Sequence, residues 1–202
     1  EVVKDSGRFV LIQEYVQGPT LQELLKSGIS SLDKESILLQ LLSVVAYAHK
    51  HKILHRDIKP ENIMITKGGR IKLLDFGIAR DLTWQGVDSS TAGTVNFMPP
   101  EQFAGKSCLA SDVWAIGVIF YIFATNAVPY FQLNDDYPQD VETSLECPLP
   151  TTINPKLDAE VERIIMRCLE KDPERRYGTA IELANDVRET LPHFGRGELL
   201  PS

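Results

Sequence analysis

The sequence predicts an α+β fold in which a few short strands near the start are followed by a mostly helical remainder. Two segments rich in β-branched and aromatic residues and bounded by turn residues predict strands, at residues 9–16 and 62–76. Apolar residues then recur at helical spacing, and residues 111–124 are apolar on nearly every face. With 202 residues and no internal repeat, the chain is long enough for one domain with its own core.

Composition excludes several classes of protein. A formal net charge of -7 argues against binding to nucleic acid or to an anionic membrane, because both require a basic face. The longest apolar run, at residues 115–124, is about half as long as a bilayer span, so we expect a buried helix and no membrane segment. Three widely spaced cysteines predict reduced thiols and a cytoplasmic protein. The opening "EVVKDSGRFVLIQEYV" lacks an initiator Met and begins within a predicted hairpin, which suggests a truncated chain.

The first half of the chain predicts a strand, a long helix and a hairpin. Residues 9–16 follow the turn signal "KDSG" and end at "QGPT", which predicts a largely buried strand. A helix is predicted between Leu32 and His51, with Asp33 capping its first turn. Because His49 and His51 do not share a helix face, we expect surface histidines near the helix end and no metal pair. In residues 62–76, "NIMI" and "RIKLLDF" flank "TKGG", which predicts a short hairpin.

The middle of the chain alternates irregular and helical segments. Residues 78–98 lack any period, and an irregular stretch of this length is usually functional or mobile. Residues 111–124 predict a central helix. Residues 132–150 carry five acidic residues, no basic residue and three prolines, so we expect a solvated surface excursion in preference to a platform for basic substrates.

Two amphipathic helices are predicted to close the domain. The first has Val161, Ile164, Ile165 and Cys168 on one face, and the second begins with a capping box ahead of an apolar stripe. That box is formed by Thr179 and Glu182.

The octad "HRDIKPEN" at residues 55–62 carries the side chains that phosphoryl transfer requires. The reaction needs a carboxylate for a hydroxyl proton, oxygen ligands for Mg²⁺ and cations near the developing charge. Asp57 is the candidate base, Lys59 the candidate cation, and Asn62 a neutral oxygen ligand. Asp75 of "DFG" adds an anionic ligand, and folding the predicted hairpin would bring it close to Asn62.

The motifs "HRDIKPEN", "DFG" and "GTVNFMPPE", in this order, resemble those of the eukaryotic-type protein kinase catalytic domain of the Ser/Thr class. The resemblance covers residues 1–192 as a partial kinase domain and leaves residues 193–202 as a tail. It implies a protein-kinase-like fold made of the hinge and the mainly helical C-terminal lobe. We therefore expect most of the N-terminal β lobe to be absent from these residues, because they contain no Gly-rich loop, no strand lysine and no partner glutamate.

The resemblance implies specific roles in catalysis, with ATP and Mg²⁺ as cofactors. Asp57 matches the catalytic base, and Lys59 matches the lysine that marks Ser/Thr specificity. Thr94 matches the hydroxyl that bridges the two, while Asn62 and Asp75 match the Mg²⁺ ligands. Nucleotide contacts are implied at the gatekeeper, the hinge, the adenine floor and the ribose position; these residues are Gln13, Glu14, Val16, Thr20, Glu61 and Met64.

The resemblance also implies structural and regulatory roles. His55 and Phe76 match a stacked pair, Asp112 matches the residue that holds the catalytic loop, and Glu101 with Arg176 matches a buried ion pair. Residues 75–101 resemble an activation segment with candidate phosphorylation sites and two arginines that would receive the phosphate. The candidate sites are Ser89, Ser90 and Thr91, and the arginines are Arg56 and Arg80. A flexible solvated loop is the alternative for these three sites.

Three function classes remain open. The first is a Ser/Thr protein kinase that acts on protein substrates with ATP. The second is a pseudokinase that serves as an interaction scaffold. The third is a small-molecule phosphotransferase, against which Lys59 and the segment "GTVNFMPPEQF" argue, because small-molecule kinases lack a comparable peptide platform.

Overall fold

The structure is a computed structural model that describes residues 2–5, 8–76, 96–129 and 147–190. These residues contain four strands in two antiparallel hairpins, namely β1 Val2–Asp5 with β2 Arg8–Leu11, and β3 Ile63–Ile65 with β4 Ile71–Leu73. The helices are α1 Leu21–Ser27, α2 Ser31–Lys50, α3 Pro100–Phe103, α4 Leu109–Thr125, α5 Pro150–Ile153, α6 Ala159–Cys168 and α7 Ala180–Thr190. Short 3-10 helices cover Pro60–Asn62 and Pro173–Arg175. The predicted α+β class is confirmed.

The first predicted strand is shorter and less buried than expected. Strand β2 ends at Leu11, which pairs with Val2 in the antiparallel register of the hairpin. Residues 12–15 are exposed, with Tyr15 at 90%, and Val16 is buried. The prediction of a largely buried strand over residues 9–16 is therefore wrong for its second half.

Helix α1 was not predicted, although its start carries a capping box. The Glu23 N–H donates to Thr20 Oγ1 at 3.2 Å, and the Thr20 N–H donates to Glu23 Oε2 at 2.8 Å. These bonds satisfy two of the donors that a helix start leaves unpaired. Residues 19 and 20 also lie against β3, where the Ile65 N–H donates to the Pro19 carbonyl at 2.9 Å.

Helix α2 confirms the predicted long helix but has a different cap. Ser30 is the N-cap, and its Oγ accepts from the Asp33 N–H at 3.2 Å. The Ser30 hydroxyl donates in turn to Asp33 Oδ2 at 2.6 Å. The prediction that Asp33 caps the first turn is wrong, because the helix begins two residues earlier and places Asp33 inside its first turn.

Helix α4 is the centre of the core, as predicted, and every residue from Ala110 to Ala124 is buried. Helices α2, α6 and α7 pack around it. Gly117 permits the closest approach, because a Cβ at this position would lie 2.5 Å from Cys168 Cβ in α6. The core therefore forms a rigid base beneath the loops that follow α2 and precede α4.

The closing helices α6 and α7 are confirmed. At the start of α7 the Glu182 N–H donates to Thr179 Oγ1 at 3.2 Å, while the Glu182 carboxylate accepts from the Gly178 N–H at 3.0 Å. None of the helices in the described part of the chain is long and apolar enough to cross a bilayer. Most of the acidic stretch 132–150, the irregular residues 78–95 and the tail 193–202 lie outside the described residues.

Candidate active site

Three predicted catalytic side chains converge in the loop between α2 and β3. Asp57 Oδ2 lies 3.2 Å from Lys59 Nζ, and the side chains of both residues are only 16% exposed. The Asn62 amide donates to Asp57 Oδ2 at 2.9 Å and to the Asp57 carbonyl at 2.8 Å. The 3-10 helix Pro60–Asn62 folds the chain back, which lets Asn62 reach Asp57 across five residues. The result is a partly shielded carboxylate with a cation and an amide in fixed positions.

Asn62 and Asp75 offer oxygen atoms that fit a hard divalent cation. The Leu74 N–H donates to the Asn62 carbonyl at 2.8 Å. The β3–β4 hairpin therefore places Leu74, the residue immediately before Asp75, in contact with Asn62. Both amide hydrogens of Asn62 point to Asp57, which leaves its Oδ1 as a ligand atom. Asp75 Oδ1 accepts from Gln13 Nε2 at 3.2 Å, which leaves Oδ2 as a second ligand atom.

Two oxygen ligands of this kind fit the coordination that Mg²⁺ takes in proteins. Among the described residues there is no group of three or more His, Cys, Asp and Glu side chains that could hold a metal ion. Mg²⁺ commonly takes one or two protein oxygens and completes its shell with water and phosphate oxygens.

The backbone that carries Asp57 is held from helix α4. The buried Asp112 carboxylate accepts from the His55 N–H and from the Arg56 N–H, each at 2.8 Å. Arg56 has a left-handed backbone with φ of 68°, which is unfavourable for a residue other than glycine. The two bonds to Asp112 stabilise this conformation, in agreement with the role that the resemblance implies.

His55 is a neutral imidazole in a fixed tautomer. Its Nε2 donates to the Leu74 carbonyl at 2.8 Å, and its Nδ1 accepts from the Asp57 N–H at 3.2 Å. Burial lowers the pKa of His55, which keeps the ring neutral in spite of the neighbouring carboxylates. The ring lies against Phe76 with a centroid distance of 4.6 Å and an interplanar angle of 51°, so the two rings of the implied stacked pair are in contact but tilted.

His49 corrects the prediction of two surface histidines. It is only 2% exposed, its Nε2 donates to Asp112 Oδ2 at 3.0 Å, and its Nδ1 accepts from the Ala180 N–H at 3.0 Å. Helix α7 docks against the end of α2 and covers this position, whereas His51 remains exposed. The signal was available, because His49 continues the apolar stripe of Leu38, Leu42 and Val45 at spacings of four, three and four.

Glu101 and Arg176 form the implied buried ion pair. The guanidinium donates two parallel bonds to the carboxylate, at 2.7 and 2.9 Å, and lies over the Trp114 ring at 4.8 Å. The Ser111 hydroxyl donates to Glu101 Oε1 at 2.7 Å. Helix α3, which carries Glu101, is thereby fixed to α4 and to the loop before α7.

Gln102 was missed in the sequence. It follows Glu101 in α3, is 9% exposed, and its Nε2 donates to the Arg56 carbonyl at 2.8 Å. The bond spans 46 residues of sequence and ends on a backbone oxygen, which leaves no pattern in the sequence.

The predicted nucleotide contacts are only partly brought together. Val16 is buried, Met64 pairs with Thr20 in an isolated bridge, and Gln13 contacts Asp75. The Thr20 hydroxyl serves as the cap of α1, and Glu14 contacts Lys72 at 3.0 Å on the surface.

Six residues complete the predicted set. Glu61 is exposed in the 3-10 helix. Thr94, Arg80, Ser89, Ser90 and Thr91 lie outside the described residues.

Comparisons with known proteins find similarity to serine/threonine-protein kinases. A probable serine/threonine-protein kinase of Streptomyces coelicolor is 34% identical over 191 residues, which are 90% of this chain and 28% of the relative. PrkC, a serine/threonine-protein kinase of Bacillus subtilis, is 35% identical over 190 residues, or 89% of this chain and 28% of the relative. PknB, a serine/threonine-protein kinase of Mycobacterium tuberculosis, is 32% identical over 187 residues, or 88% of this chain and 29% of the relative.

The chain thus spans less than a third of the length of these relatives. A family model described as the protein kinase domain matches residues 1–187. Because that match covers most of the 202 residues and includes the whole site described above, the chain belongs to the protein kinase domain family.

Proposed function

We propose that the protein containing this chain is a Ser/Thr protein kinase, which transfers the γ-phosphoryl group of Mg·ATP to Ser or Thr hydroxyls of protein substrates. The observation that carries the proposal is the Asp57 carboxylate between the Lys59 ammonium at 3.2 Å and the Asn62 amide at 2.9 Å. The names of the relatives, all serine/threonine-protein kinases, support the same reaction.

Asp57 orients the substrate hydroxyl and accepts its proton during in-line attack. The Asn62 amide holds Oδ2 of this carboxylate at 2.9 Å, which fixes the orientation of the Asp57 side chain. Lys59 is close enough to the same carboxylate to offset negative charge on the transferring phosphoryl group. A positioned general base of this kind typically contributes about 10²- to 10⁴-fold to the rate.

Asn62 Oδ1 and Asp75 Oδ2 would hold Mg²⁺, which when bound neutralises charge on the phosphate oxygens. The contact between Gln13 and Asp75 fixes the Asp75 carboxylate at the edge of the nucleotide site. We further propose that the backbone of Glu14 and Val16 contacts the adenine edge, with Met64 beneath the ring.

Phosphoamino-acid analysis tests this function. The full gene product that contains these residues would be incubated with γ-labelled ATP, Mg²⁺ and a mixture of protein substrates. We expect labelled phosphoserine or phosphothreonine, no phosphotyrosine, and no label above background with the Asp57→Asn variant. Equal labelling by that variant, or label found only in small molecules, would contradict the proposal.

We also propose that phosphorylation of Ser89, Ser90 or Thr91 regulates this activity. The support is their position within residues 75–101 of the activation-segment resemblance, together with Arg56 and Arg80, which the same resemblance assigns to the binding of the phosphate. A phosphate adds about -1.5 to -2 charges, enough to recruit paired arginines. The triple Ala variant at residues 89–91 should lose activity, and full activity of that variant would refute the regulation while leaving the catalytic proposal intact.

A further inference from the structure

The residue before the proposed base has an unfavourable backbone that two elements hold in place. Arg56 has φ of 68°, in the left-handed region that residues with a Cβ rarely adopt. A strained conformation persists only where the surroundings over-determine it. The contacts of the Arg56 backbone therefore identify the groups that keep Asp57 in position.

Each polar group of the Arg56 backbone has a buried partner on a different helix. Its N–H donates to Asp112 Oδ1 of α4 at 2.8 Å, and its carbonyl accepts from Gln102 Nε2 of α3 at 2.8 Å. Asp112 is 1% exposed and Gln102 is 9% exposed, so water competes little with either bond. Asp112 holds one side of the residue, and Gln102 holds the other.

Helix α3 is itself a fixed platform for Gln102. The preceding residue, Glu101, is bonded by Arg176 at 2.7 and 2.9 Å and by Ser111 at 2.7 Å. The Gln102 N–H donates to the Pro99 carbonyl at 3.0 Å. A displacement of the Gln102 amide would therefore require movement of an anchored turn.

The Arg56 carbonyl belongs to the peptide plane that ends at the Asp57 nitrogen. Because the peptide bond is planar, fixing the oxygen also fixes the direction of the Asp57 N–H. That N–H donates to His55 Nδ1 at 3.2 Å. We infer that Gln102 is a positioning residue for Asp57, which acts by holding the Arg56–Asp57 peptide plane; its effect on turnover rests on the proposed kinase function.

The test compares two variants that each remove an amide donor from a backbone carbonyl. Gln102→Met keeps the length of the side chain and removes the bond to Arg56. Asn154→Leu is the matched control, because Asn154 Nδ2 donates to the Ala124 carbonyl at 3.0 Å at the end of α4, outside the proposed site. Both variants would be made in the full gene product and compared in kcat, KM for ATP and melting temperature.

We expect Gln102→Met to lower kcat by about 10- to 100-fold with little change in KM for ATP, because small misplacements of catalytic groups have effects of this size. Asn154→Leu should lower the melting temperature and leave kcat unchanged. A parental kcat in folded Gln102→Met, or an equal loss of kcat in Asn154→Leu, would overturn the inference. If Gln102→Met does not fold, Gln102→Asn replaces it in the test, because the shorter side chain cannot reach the Arg56 carbonyl. The same results would then support or overturn the inference.

Amide hydrogen exchange tests the positioning without any activity. We expect faster exchange of the Asp57 amide in Gln102→Met than in the parent and in Asn154→Leu. An unchanged exchange rate would overturn the inference even in an active enzyme. Absence of phosphoryl transfer by the parent protein would instead refute the proposed function, and the exchange result would still decide the role of Gln102.

Discussion

Replacing Arg176 by Met should destabilise the fold by several kcal/mol, because the guanidinium is the only charged partner of Glu101 in the described core. Arg176 is 3% exposed and bonds both oxygens of Glu101 together with the carbonyls of Ala110, Glu170 and Lys171. Methionine keeps much of the apolar stem but leaves a carboxylate and three carbonyls without their donor. Breaking one side of a buried pair costs about 3–5 kcal/mol.

The matched control is Arg163→Met, on the surface. Arg163 also bonds both oxygens of a carboxylate, that of Asp186 at 3.0 and 2.8 Å, but its side chain is 42% exposed. Exposed pairs typically contribute less than about 1 kcal/mol, so this variant should lose less stability than Arg176→Met. Urea denaturation gives both free energies of unfolding. If Arg176→Met lost no more stability than Arg163→Met, our assignment of the buried pair as an anchor of α3 would be refuted.

Two further predictions concern packing and pH. Gly117→Ala should lower the free energy of unfolding by about 1–3 kcal/mol in urea denaturation, because the new Cβ would lie 2.5 Å from Cys168 Cβ. Gly68→Ala is the control and should be neutral, because a Cβ there would have nothing within 4 Å. Equal effects of the two variants would contradict the close packing of α4 on α6. The hydrogen bond from Arg163 holds the pKa of the Asp186 carboxyl well below its usual range. The ionised Asp186 carboxylate therefore stabilises the fold above the unfolded pKa of about 3.9, and this contribution is lost as the pH falls from there toward the folded pKa. Unfolding midpoints measured from about pH 6 downward should fall less steeply in Asp186→Asn than in the parent, and parallel curves would contradict this origin of the acid sensitivity.

Long periodic elements were predictable, and elements that depend on distant partners were not. The apolar run of α4 predicted a central helix because a helix that is apolar on nearly every face must be buried on all sides. The prediction for the second half of residues 9–16 was wrong because a β-branched and aromatic composition predicts a strand without fixing where strand pairing stops, and β2 ends at Leu11. The cap of α2 was placed on Asp33 because Ser and Asp are equally good caps, and spacing alone does not fix the first turn.

In the candidate site too, contacts between residues close in the sequence were predictable, and contacts with distant partners were not. The spacing within "HRDIKPEN" predicted that Asp57, Lys59 and Asn62 act together, and the short loop brings them into contact. His49 was assigned to the surface although it continues the apolar stripe of α2, because the helix that covers it, α7, lies 131 residues further along the chain. Gln102 could not be predicted, because a hydrogen bond to a distant backbone carbonyl requires no particular residue beside Gln102 and no periodic spacing in the sequence.

The most direct test of the central claim separates nucleotide binding from phosphoryl transfer in Asp57→Asn. Asparagine keeps the shape of the side chain and removes the base, and the predicted nucleotide contacts at Gln13, Val16 and Met64 are untouched. We predict an unchanged affinity for an ATP analogue and a single-turnover transfer rate lower by about 10²- to 10⁴-fold. Transfer at the parental rate would contradict the claim that Asp57 is the catalytic base.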